Sequence, residues 1–147
     1  MWNKTLLLIL LSIAYPAFGL TVSVNSVCSD TSQSYNFNSY DYNPDFKILI
    51  SSYATSPDYS FKIVSDKNVA DIVIEDNTDG GFSICKSIYG KTIKIQNYGY
   101  DPDFIINISD FNNNADWTIY HNSKILSVKE AISILVVPSF SILDKSP

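Results

Sequence analysis

The chain has 147 residues, of which 46% are hydrophobic, 14% aromatic and 17% charged. That make-up supports a buried core, and the length limits the chain to one domain, which excludes a multidomain enzyme. Its ten basic residues are all lysine and face fifteen carboxylates, for a net charge of −5. The acidic balance argues against a nucleic-acid partner.

Residues 1–19 read as an export signal. A polar start carries one charge at Lys4, an apolar run follows from Leu6 to Ala14, and the small residues Ala17 and Gly19 flank a cut expected after Gly19. The apolar run is shorter than the roughly 20 residues that cross hydrocarbon. The working chain is therefore a single domain over 20–147. It is expected to be secreted or periplasmic, with no stable membrane insertion once the signal is cut. Its two cysteines, Cys28 and Cys85, are an even pair bound for an oxidising compartment and are expected to form a disulfide.

The first strand expected is the alternating segment Thr21–Val27. After it a repeat sets in. NPDFKILI, SPDYSFKI, VADIVIED, DPDFIINI and NADWTIYH share one frame, with aspartates at Asp45, Asp58, Asp71, Asp103 and Asp116. The spacing is 13 residues, except for a gap of 32 between Asp71 and Asp103. A degenerate copy, YGKTIKIQ, has Gly90 at the aspartate position, so the stretch from Asp71 to Gly90 reads as one unit lengthened by six residues. In each unit the residues one, three and five after the leader are mostly apolar, for example Phe46, Ile48 and Ile50. Period-two alternation makes each unit a short strand followed by a turn. The aspartates are assigned a structural role, bending the chain and accepting nearby amides. Units of this size bury their apolar faces only by sharing a core. The fold expected is thus mainly β, a compact repeat of short strands over about 43–122. One short C-terminal helix is expected at about 127–137, because Ser127 and Glu130 form a capping box, the apolar spacing turns helical and Pro138 ends it.

The segments KIVSDKNVADIVIEDN and INISDFNNNADWTIYHN resemble the bacterial and phage septafoil-knot domain, whose members repeat a strand, a polar turn and a small-residue-Asp dipeptide. The resemblance spans roughly residues 43–122. It implies a compact β chain threaded into a seven-crossing knot, often exported, with no established activity and no functional residues to transfer. The family pattern does not require the cysteine pair.

No catalytic constellation emerges. His121 is the sole histidine, and no serine sits in a nucleophile elbow. A paired-carboxylate hydrolase is the rival reading, but many of the carboxylates sit in repeated turn positions, where five similar residues cannot all be catalytic. Glu75 to Gly80 partly matches a calcium loop, but Lys86 stands at the twelfth place; a tight hairpin at Asp79-Gly80-Gly81 accounts for the same letters, and a calcium-dependent adhesive module is a third reading. Asn107-Ile108-Ser109 is a glycosylation triplet inside a strand. Tyr35, Tyr40, Tyr42, Tyr98 and Tyr100 lie in polar stretches; packing over the ends of the core is the use expected, with an exposed binding face as the alternative. The expectation is an exported, non-enzymatic domain, structural or protein-binding, with no cofactor, no metal and an unidentified protein or envelope partner.

Overall fold

The computed structural model describes residues 19–30, 32–79 and 81–137. Residues 1–18 of the expected export signal and Pro138 lie outside them. Nine strands form a closed barrel: β1 (Leu20–Asn25), β2 (Gln33–Phe37), β3 (Phe46–Ile50), β4 (Tyr59–Ile63), β5 (Ile72–Asp76), β6 (Phe82–Lys86), β7 (Lys91–Gln96), β8 (Phe104–Ile108) and β9 (Trp117–Asn122). A 3₁₀ turn, Lys67–Val69, precedes β5, and one α-helix, α1 (Val128–Val136), follows β9. The fold is mainly β, with a short C-terminal helix where the capping box placed it.

Around the barrel the order is β1, β5, β9, β4, β8, β3, β7, β2, β6 and back to β1. Every pairing is parallel. Consecutive strands therefore lie two places apart, always in the same sense, and the chain circles the barrel nearly twice. Parallel neighbours ordinarily need a crossover of a dozen or more residues. The connections here all have eight or fewer, and register explains why. At eight of the nine interfaces the third residue of one strand faces the first residue of the next, as in Ile48 with Phe104 and Phe61 with Trp117; only β1 and β5 start level, Leu20 with Ile72. This stagger tilts the strands. Phe37, the last residue of β2, then stands level with Ile93 of β7, which stands level with Phe46, the first of β3. The chain has only to step over one strand.

Five of the eight steps are clasped by an outward side chain of the strand beneath. Asn107 Nδ2 donates to the carbonyls of Ser51 (3.2 Å) and Ser52 (3.1 Å), and Lys94 Nζ to that of Asp41 (3.2 Å). Ser23 Oγ donates to the Thr78 carbonyl (2.9 Å), and Lys62 Nζ to Asn113 Oδ1 (3.2 Å). The first connection is held covalently: Cys85, outward on β6, is bonded to Cys28 in the loop crossing it.

The repeat is longer and more regular than the letters suggested. Leaders precede all nine strands: Gly19, Ser32, Asp45, Asp58, Asp71, Gly81, Gly90, Asp103 and Asp116. The stretch from Asp71 to Gly90 is not one lengthened unit but two shortened ones, because β6 lies within it. Gly80 lies outside the described residues, and β5 and β6 do not pair as the hairpin expected at Asp79-Gly80-Gly81 would have them. β5 and β6 flank β1 on opposite sides, both parallel to it, and the connection passes outside β1. Glycine is required at Gly81, where φ is +75° and a Cβ would stand 2.1 Å from the Thr21 carbonyl oxygen.

The third residue of every strand points inward: Val22, Tyr35, Ile48, Phe61, Ile74, Ile84, Ile93, Ile106 and Ile119 are each 1% exposed or less. The helix closes the end toward which the strands run. Its first turn reaches the rim, where Glu130 pairs with Lys86 (3.0 Å) and Lys129 Nζ donates to Asn97 Oδ1 (3.2 Å). Residues from Ala131 to Val136 are buried on all sides with the inward strand residues.

Candidate functional site

The five repeated aspartates are staples, and their partners are not local. Asp45 Oδ2 accepts the N–H of Thr92 (2.8 Å), Asp58 that of Ile105 (2.7 Å) and Asp71 that of Thr118 (2.8 Å); Asp103 accepts from Lys47 (2.7 Å) and Asp116 from Ser60 (2.9 Å). Each partner is the second residue of an adjacent strand, 47 or 56 positions away. In four of them the aspartate N–H also donates to the carbonyl of that same residue. The carboxylate thus satisfies an amide at the start of a strand that the ladder would otherwise leave unpaired. The expectation of nearby amides gives way to one rule: each leader brackets the neighbouring strand. Where Gly90 replaces aspartate, a Cβ would stand 2.5 Å from Ser34 C and Tyr35 N, so the backbone itself occupies the space. Asp116→Ala is expected to cost about 1–2 kcal/mol, read as a lower urea midpoint, with Asp116→Asn recovering part of it because the amide oxygen still accepts.

The other singled-out residues are also placed. His121 Nε2 donates to the Leu126 carbonyl (2.9 Å), tying β9 to the link before α1. Asn107 of the glycosylation triplet is buried in its clasp on Ser51 and Ser52. In the calcium-like stretch, Glu75 pairs with Lys67 (2.8 Å), Asp76 accepts from Lys124 N (2.7 Å) and Asn77 Oδ1 accepts from Ser26 N (3.1 Å). Among the described residues no group of three or more His, Cys, Asp or Glu side chains is arranged to hold a metal ion.

A cleft of about 510 Å³ opens beside the first turn of α1. Ile50, Ile63, Ile108 and Val128 line it with apolar surface, and Tyr53, Asn97, Asp110 and Lys129 add polar groups. Three strands that are neighbours around the barrel (β4, β8 and β3), together with the β7–β8 connection, supply it, although they are far apart in the chain.

The turn beside that cleft belongs to a larger pattern. The eighth residue after each leader is Val27, Tyr40, Tyr53, Asp66, Asp79, Tyr89, Tyr98, Phe111 or Lys124. Put in barrel order, these sort into two sectors. Phe111, Tyr53, Tyr98, Tyr40 and Tyr89 follow β8, β3, β7, β2 and β6, five consecutive strands, with Val27 of β1 next; Asp79, Lys124 and Asp66 follow β5, β9 and β4. The five aromatics are 87–93% exposed. Tyr42 and Tyr100, from two of the same connections, are more exposed still. Four of the five ride on fixed turns: the N–H of Tyr40 donates to Asn38 Oδ1 (3.0 Å), and those of Tyr53, Tyr89 and Phe111 donate to Ser51, Ser87 and Ser109 Oγ (3.2 Å each).

Of the five tyrosines expected to pack over the core ends, only Tyr35 is buried. It is the inward third residue of β2, whereas Tyr40, Tyr42, Tyr98 and Tyr100 lie in connections that cross outside the barrel, where no layer covers them. The five exposed aromatics form a crescent that chain order does not display, because its members are neighbours only in the interleaved strand order; the eight-residue offset from each leader is the signal that finds it.

Comparison with protein-family models, with curated proteins and with solved structures gives no match to this chain. The bonded cysteine pair suits an oxidising environment. Among the described residues no helix is long and apolar enough to cross a membrane.

Proposed function

We propose that this chain is an exported, non-enzymatic β-barrel domain that binds a protein partner through the aromatic crescent. The observation that carries the reading is the run of five exposed aromatic residues, four of them on hydrogen-bonded turns, after five consecutive barrel strands. Rigid aromatic rings among Ser and Asn give large contact area at small entropic cost, the composition of evolved binding loops. A surface of this kind in water is otherwise unfavourable.

Export is supported by the disulfide and by the three-part pattern of residues 1–19. A cut after Gly19 leaves Leu20, the first residue of β1, whose nitrogen donates to the Asp71 carbonyl (2.8 Å), so the processed chain keeps every strand. The binding reading is preferred to the hydrolase because the repeated aspartates each hold a backbone amide and the cleft lining has one carboxylate, Asp110. A paired-carboxylate mechanism needs two. The resemblance to the septafoil-knot domain draws support from a strand order that advances two places per unit with connections passing outside.

The test compares the chain over 20–147 with its Tyr40→Ser/Tyr53→Ser/Tyr98→Ser/Phe111→Ser variant, both shown folded by circular dichroism. Each is cross-linked in an envelope extract of the source organism and the products are quantified by mass spectrometry. The binding reading expects proteins joined to the parent and lost from the variant. The same products from both would end it.

A further inference from the structure

The crescent is one-sided in charge as well as in shape. The connections bearing its aromatics, 38–45, 51–58, 87–90, 97–103 and 109–116, contain no lysine or arginine. They contain seven aspartates, of which Asp45, Asp58, Asp103 and Asp116 are leaders engaged with backbone amides. The remaining three stand beside rings: Asp41 between Tyr40 and Tyr42, Asp101 after Tyr100, Asp110 before Phe111. Lysines on the strands and helix beside them have partners of their own: Lys86 pairs with Glu130 and Lys91 lies over the Phe46 ring. Lys94 and Lys62 clasp the crossing loops from the barrel wall, and Lys129 reaches Asn97 from the helix. The opposite sector, with Asp79, Lys124 and Asp66, mixes both signs.

An aromatic face is electron-rich, and a cation over it is attracted to the ring and to any carboxylate alongside. Repeated ring and carboxylate pairs with no competing cation in the same loops suit Lys or Arg side chains arriving from outside. Anionic lipid and nucleic acid are repelled by the same charges. Resting on the binding reading above, the geometry points to the crescent as the docking surface for a basic segment of a partner protein. Its Lys and Arg side chains lie across Tyr40, Tyr53, Tyr98 and Phe111, with Asp41, Asp101 and Asp110 as counter-charges. Arg is the better fit, since its planar guanidinium both stacks on rings and pairs with carboxylates.

The test is amide chemical-shift mapping of the chain over 20–147, titrated separately with hexa-arginine, hexalysine, maltohexaose and phosphatidylcholine vesicles. Hexa-arginine is expected to bind more tightly than hexalysine and to shift the amides of Tyr40, Tyr53, Tyr98 and Phe111. Affinity is expected to fall with added salt, and to fall about tenfold in the Asp41→Asn/Asp101→Asn/Asp110→Asn variant. The inference is overturned if the peptides shift residues around Asp66 and Asp79 instead, if the triple variant binds as the parent does, or if only the sugar or only the vesicles produce saturable shifts. Silence from both peptides, combined with envelope cross-links that still depend on the four rings, sinks the basic-partner inference and leaves the binding reading standing. Cross-links indifferent to the four rings sink the reading itself.

Discussion

Phe61→Ala is expected to lower the unfolding free energy by about 3–5 kcal/mol, a large share of the 5–15 kcal/mol typical of a domain. Phe61 is fully buried as the third residue of β4 and faces Trp117 across the ladder. Along with Tyr35 it is the largest of the nine inward side chains. A closed barrel cannot move its walls inward without breaking the ladder on both sides of a strand, so the cavity left by the ring stays open. Urea denaturation checks the value: the midpoint drops while the slope is unchanged. Phe61→Leu, which keeps most of the volume, is expected to cost less than half as much. Equal losses from the two substitutions would mean that the wall relaxes and that ring closure does not constrain the core as argued.

The second large effect is expected from the disulfide. Cys28→Ser/Cys85→Ser should cost about 4 kcal/mol on the chain-entropy model for a loop of this length. Residues 28 and 85 are separated by 57 positions and lie in the first and sixth units. The bond replaces the hydrogen-bond clasp that side chains such as Asn107 and Lys94 provide at other crossings. Losing it frees the β1 to β2 connection from β6, although the bond from Ser32 Oγ to Ser83 Oγ (2.8 Å) keeps part of the crossing in place. The measurement is denaturant unfolding of the parent with and without reductant, alongside the double variant. A change of under 1 kcal/mol in both would show that the clasps suffice and that the covalent link adds little.

The two predictions bear on function through rigidity. The proposed binding needs the crescent's turns to hold still, and those of Tyr40, Tyr53 and Phe111 sit on crossings that the barrel wall holds down. Binding through Tyr40 or Tyr53 is therefore expected to weaken in destabilised variants that leave every ring in place.

Much of this architecture was legible in the letters, and the gaps have a physical cause. Alternation of apolar residues identifies strands wherever one face is buried, so β3, β4, β5, β7, β8 and β9 can be read directly, and β1 nearly so. β2 and β6 escape because QSYNF and FSICK offer few apolar letters, their positions being set by a buried Tyr35 and Ile84 and by leaders, Ser32 and Gly81, that are not aspartate. The capping box at Ser127 and Glu130 locates the helix because it is a local hydrogen-bonded device. The cysteine pair follows from count and compartment.

Strand pairing belongs to tertiary structure alone. No local energy tells Asp45 that its carboxylate will meet the amide of Thr92, or tells the turn at Asp79 that it must pass outside β1 in place of doubling back. Those outcomes depend on closing the ring with a two-residue stagger at nearly every interface, a condition that only the whole barrel satisfies. The amino-acid order thus determined the units, their buried faces and the helix that seals one end. The folded chain decided which units are neighbours, and with that decision it gathered five scattered aromatic turns onto one side of the molecule.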